Sequence, residues 1–178
     1  SLAKISRQAR KLFQNGVFPK ALFGNQASGV SPVAVVKNER DAANTTGIAA
    51  GRCRYATLCV AFGTKHPTVR LYSEAFTAWF RYLLRMGTSI YAVPYKDLAI
   101  AFDQAKNRVK DSMKVSQTAA ANQVQGLMSW VIFLLLRYGW DPVNLKEWKD
   151  PRGDVWRFNF TTPTPLNLIV KEFIKDFH

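Results

Sequence analysis

Few side chains in this sequence can support covalent or metal chemistry. Cys53, Cys59, His66 and His178 are its whole soft-ligand set. A C-x5-C spacing with one histidine seven residues further on matches no tetrahedral zinc framework, which needs four ligands at close spacing. We therefore expect reduced, buried thiols in a reducing compartment and no metal. The glycines of GNQASG, residues 24–29, have the rhythm of a phosphate loop but lack the Lys-Ser/Thr that completes one. No G-x-S-x-G, no H-E-x-x-H and no carboxylate pair on an apolar background occurs. Two histidines leave little for general acid–base work near neutral pH. The expectation is no enzyme, no cofactor and no small-molecule substrate.

Binding chemistry is far better supplied. Lys and Arg total 25 against 12 acids, a net charge of +13 and a pI near 10.0, the footprint of a protein that meets a polyanion. Single-stranded nucleic acid is held by a cationic groove that follows the phosphates, with polar or aromatic side chains receiving the bases. The charge is concentrated in the first half: residues 1–85 carry 13 basic and 3 acidic side chains, residues 86–178 carry 12 and 9. Lys4, Arg7, Arg10, Lys11 and Lys20 fall in a leading stretch, residues 1–30, that has no acid. No window of eighteen apolar residues and no signal-peptide core is visible, so a soluble, intracellular chain without membrane contact is expected. PRGD, residues 151–154, reads as a chance string.

These charges need elements to place them. Residues 1–50 read as an N-terminal arm, interrupted at Gly16, Pro19, Gly24, Gly29 and Pro32, with VAVV, residues 33–36, as an extended piece able to lie on another surface. Residues 51–178 read as the core. Tyr55, Leu58, Cys59 and Phe62 have helical spacing and stop at Gly63. Val69, Tyr72, Phe76, Trp79, Phe80 and Leu83 make one broad apolar face ending at Gly87, with Arg70, Arg81 and Arg85 on its flank. A third helix starts near Tyr95, with Pro94 at its entrance, Asp97 in its first turn and a cationic second half of Lys106, Arg108, Lys110 and Lys114. Residues 116–139 read as one central helix from a Ser116 cap to a Gly139 stop, apolar all round from Trp130 to Leu136. A packed loop and a last amphipathic helix over 165–178 follow. The expected fold is mainly α: a compact helical core of five to six helices, an extended N-terminal arm and little sheet.

Three stretches in order carry a resemblance. AWFRYLLRMGTSIYA (78–92), NQVQGLMSWVIFLLLRYGWDPVNLKEW (122–148) and VWRFNFTTPTP (155–165) resemble, in type and spacing, phrases in the coat proteins of flexible filamentous plant RNA viruses, the potexviruses and potyviruses. The resemblance implies a helical core whose groove holds single-stranded RNA and an N-terminal arm that joins each subunit to the next in a helical homopolymer. It places the chain in the virion and the host cytoplasm. Phosphate contacts would then come from Arg81, Arg85, Lys106, Arg108 and Lys110, with Arg157 in the third phrase. The family's serine falls on Ser89, with Thr88 beside it; its arginine falls near Asn122 to Gln125, and its aspartate on Asn159. Both charges are replaced by amides here. Losing one partner of a buried ion pair costs about 3–5 kcal/mol, whereas exchanging both leaves a neutral hydrogen-bonded pair.

A second resemblance stays open. HPTVRLYSEAFTAWFRYLLRMG (66–87) with KVSQTAAANQVQGLMSWVIFLLLRYGWDP (114–142) is similar to the helical core-binding domain of tyrosine recombinases, which clamps duplex DNA. That reading makes the chain a DNA-binding module. The catalytic tyrosine, arginine and histidine set of such an enzyme is not in the sequence.

Overall fold

Apolar residues recur at three- and four-residue spacing through most of the chain, and helices follow from that pattern. The computed structural model describes residues 8–17, 19, 24, 29–47, 54–63, 66–86 and 93–157. The expected helix at 165–178, the phrase 158–165, and Cys53, Thr88, Ser89 and Asn159 lie outside the described residues. The described residues are mainly helical, with one small three-stranded sheet among them. By contact it divides into two compact units, one of residues 1–25 and 30–72, the other of residues 26–29 and 73–178.

In the first unit, residues 8–12 are helical and run into a π-helical turn, Phe13–Val17. Phe13 is buried edge-on against Phe62, with ring centroids 6.2 Å apart. Helix α1 spans Pro32–Asn44 and helix α2 Arg54–Phe62. The extended reading of residues 33–36 is corrected here: Ser31 accepts a hydrogen bond from the Ala34 amide at 3.1 Å and Pro32 sits at the first helical position. A cap followed by proline sets helical dihedrals more strongly than three valines oppose them. Val35, Asn38, Ala42 and Ala43 form the buried side of α1. Arg10 donates from Nη1 to the Ala61 carbonyl at 3.1 Å, near the end of α2, where carbonyls lack intrahelical partners.

Helix α3, Pro67–Met86, begins in the first unit and continues into the second. The Thr68 amide donates to His66 Nδ1 at 3.3 Å, and the Thr68 hydroxyl donates to Glu39 Oε1 at 2.6 Å. Burial holds the His66 imidazole below its ordinary pKa, against a smaller upward pull from Glu39. The neutral ring is the form whose Nδ1 can accept the amide.

In the second unit, Phe76 and Phe80 of α3 meet the fully buried Trp148 with centroids 6.0 and 5.6 Å away. Helix α4, Tyr95–Val115, buries Leu98, Phe102, Ala105 and Val109 along one stripe. It packs on α5, Gln117–Asn122, and on α6, Leu127–Arg137. Residues Ser129 to Leu135 of α6 are all buried, as an apolar run without a polar face requires. The single helix expected over 116–139 is thus two, with a break at residues 123–126. Ser116 does cap, accepting from the Ala119 amide at 3.0 Å. Gly139, with φ +79°, follows the end of α6.

Strands β1 (Asp141–Asn144), β2 (Glu147–Lys149) and β3 (Val155–Arg157) form an antiparallel sheet in the order β1-β2-β3. Trp148 pairs with Trp156 across the second ladder. The turn between β2 and β3 is built on Asp150, whose side chain is fully buried. Its Oδ1 accepts from the Arg152 and Asp154 amides, both at 2.9 Å. Its Oδ2 accepts from Trp156 Nε1 and Arg152 Nη2, both at 3.3 Å. PRGD is therefore the wrapping of a buried carboxylate, with Gly153 at φ +98° completing the turn.

Desolvation raises the Asp150 pKa, but the four donated hydrogen bonds outweigh it and hold the carboxyl below the usual range. A depressed carboxyl stabilises the fold above its unfolded value, about 3.9, and loses that contribution as pH falls through the folded value. Asp150→Asn should lower stability at pH 7 by about 1–3 kcal/mol and flatten the acid limb below pH about 4. Denaturant titrations of both proteins across that range check this; parallel acid limbs would refute it.

Candidate nucleic-acid interface

The break between α5 and α6 is set by glycine chemistry. Gly126 sits at φ +92°, ψ 174°, a backbone region essentially reserved for glycine. Ser129 closes the break: its Oγ accepts from the Gln125 amide at 2.8 Å and donates to the Gly126 carbonyl at 3.1 Å. With its backbone fixed, Gln125 presents its side chain to α4, where Oε1 accepts from Arg108 Nη1 at 3.2 Å on an exposed surface. A guanidinium and an amide are thereby held side by side at the break.

The residue just past Gly126, Leu127, lines a depression of about 480 Å³ along α3. Two neighbouring ridges of four-residue spacing line it: Ser73, Thr77, Arg81 and Arg85, and Glu74, Ala78 and Tyr82. Arg81 and Arg85 are exposed. Tyr82, 37% exposed, stacks on Trp79 with centroids 5.6 Å apart and planes at 21°. Trp79 is 2% exposed, and its indole N–H has no acceptor among the described residues.

The structure thus brings four residues singled out in the sequence to the two sides of one break: Arg108 and Gln125 on the α4 side, Arg81 and Arg85 on the α3 side. Others are placed differently. Lys106 is engaged by its own fold, its ammonium 3.1 Å from Asp103 Oδ1 and 2.7 Å from the Val143 carbonyl. Lys110 is exposed, but two positions along a helix lie about 200° apart around the axis, so it points away from Arg108. Asn122 is exposed at the end of α5. Arg157 faces its cross-strand partner Glu147 at 3.7 Å, an exposed pair of small energetic weight. Thr88, Ser89 and Asn159 belong to the residues not described.

Tyr82, Ser73 and Thr77 escaped the sequence reading. Ser73 and Thr77 are at four-residue spacing with the arginines and Tyr82 is next to Arg81, but an apolar stripe is counted on hydrophobic positions, and these fall beside it. Cys59 is a half-buried free thiol whose pKa burial raises, favouring the unreactive protonated form. No described helix is long and apolar enough to cross a membrane. No protein family, curated protein or solved structure matches this chain.

The break should be sensitive to one methyl group. Gly126→Ala forces a side chain into a glycine-only conformation, with an expected loss of about 1–3 kcal/mol. Chemical denaturation of the variant measures it; unchanged stability would mean that the break does not depend on Gly126.

Proposed function

We propose that this chain is a coat subunit that polymerises helically around single-stranded viral RNA, contacting it without reading its sequence. The observation that carries this is that exposed guanidinium groups meet both residues flanking Gly126: Arg108 bonds Gln125, and Arg81 and Arg85 border the depression that Leu127 lines. Exposed guanidinium groups suit phosphate, and phosphate contacts carry no sequence information, which a protein that covers a whole genome requires. The net charge of +13 supplies the long-range attraction. The resemblance of three ordered phrases to flexible filamentous coat proteins supplies the assembly.

Self-association has support in the first unit. Leu12, Val33 and Val60 are 70%, 75% and 84% exposed, and Val36 is exposed beside Val33 on α1. Apolar side chains so presented suit a second copy of the chain, and a head-to-tail contact that does not close yields a filament. In this reading the leading segment joins neighbours, and the protein acts in the virion and the host cytoplasm.

Negative-stain microscopy of purified protein with RNA tests the proposal directly. Flexible rods that protect RNA of any sequence are expected, whereas discrete particles that select one duplex sequence would replace the coat reading with the DNA-clamping one. Val33→Glu with Val60→Glu should abolish rods while leaving RNA affinity within about twofold, since surface substitutions of this kind cost little stability.

Salt dependence tests the interface. Each phosphate neutralised on a single strand contributes about 0.7 to the slope of log affinity against log salt. Replacing Arg81 and Arg85 by glutamine should therefore flatten the slope by about 1.4, while Lys106→Gln leaves it unchanged. A Lys106 effect equal to that of the arginines would refute the assignment.

A further inference from the structure

We propose that the depression on α3 is a nucleobase subsite, in which Tyr82 receives one base of the bound strand on its ring while Arg81 and Arg85 hold the flanking phosphates. The inference rests on the RNA-binding reading above and adds what that reading leaves out: a place for a base.

Four observations converge. Tyr82 is exposed on a helix whose other large aromatics are buried, so the ring serves no visible packing need on its open side. Its orientation is fixed by the buried Trp79, stacked 5.6 Å away, and a ring that is already ordered loses little entropy when a base settles on it. Arg81, adjacent in sequence, and Arg85, one turn on, lie on the neighbouring ridge, so cation and aromatic border the same depression. Its volume of about 480 Å³ falls in the range of about 300–1,000 Å³ typical of small-ligand sites.

The chemistry selects a nucleotide unit of a single strand. Base-on-aromatic stacking tolerates any sequence because every base has a π-face, and it requires an unpaired base, which a duplex does not offer. The hydroxyls of Ser73 and Thr77 on the arginine ridge suit a ribose. Tyr95 is a useful contrast: it is also exposed, but the Lys146 ammonium lies over its ring at 4.5 Å and occupies that face.

The test uses the full chain with an oligouridylate carrying 5-bromouridine, irradiated and mapped by mass spectrometry, together with affinities for oligouridylate and for inorganic polyphosphate, a polyanion without bases. An adduct on Tyr82 is expected. Tyr82→Ala should weaken oligouridylate binding about tenfold or more, the effect of one stacked base, and leave polyphosphate binding unchanged; Tyr82→Phe should bind both as the parent does. Equal loss for both ligands, loss for neither, or adducts only elsewhere would overturn the subsite. Parent protein that binds RNA yet gives no Tyr82 adduct overturns the subsite alone, while parent protein that binds no RNA removes the RNA-binding reading with it.

Discussion

One backbone position governs the candidate surface of the second unit. Gly126 adopts dihedrals that other residues avoid, and the chain can therefore leave α5 and restart as α6 within four residues. The restart lets a fully apolar helix enter the core while the polar residues just before it stay at the surface. Gln125 is held outward by the Ser129 staple and meets Arg108; Leu127 closes the depression that Arg81, Tyr82 and Arg85 border. An uninterrupted helix over the same residues would turn Gln125 and Leu127 about 200° apart around a single axis and leave neither contact in place.

Electrostatics and packing are separated along α3. Its Phe76 and Phe80 hold the hairpin through Trp148, while its arginines occupy the other side. Aromatic burial of this size, with Trp79, Trp130, Trp140 and Trp148 all inaccessible, provides the stability that a cationic, self-repelling surface erodes. Asp150 shows the complementary economy: one buried carboxylate organises a five-residue turn by accepting from two amides, an indole and the exposed Arg152, so no cation is buried beside it.

Much of this was legible beforehand, and the failures have physical causes. Helices at 54–62, 67–86 and 95–115 announce themselves through apolar spacing and through proline or glycine at their ends. The break in 116–139 was hidden because residues on both sides keep helical character and only Gly126 betrays it. At 33–36 the β-branched run outweighed the Ser31–Pro32 start signal in the reading, although the cap decides the conformation. PRGD looked like a chance string because nothing in a sequence says that Asp150 beside it turns inward. The candidate site was legible as a list of cations but not as an arrangement: composition counts Lys106 and Arg108 alike, yet one is engaged by Asp103 and a carbonyl while the other stands beside an amide.

The stacking of Trp79 under Tyr82 carries an optical consequence. An indole shut away from water, with no acceptor for its N–H among the described residues, emits at the blue end of the tryptophan range, and here the Tyr82 ring stacks directly on it. Of the five tryptophans in the chain, this one reports on the depression from a single ring away. The molecule thus carries its own lamp beside that surface, without any attached dye.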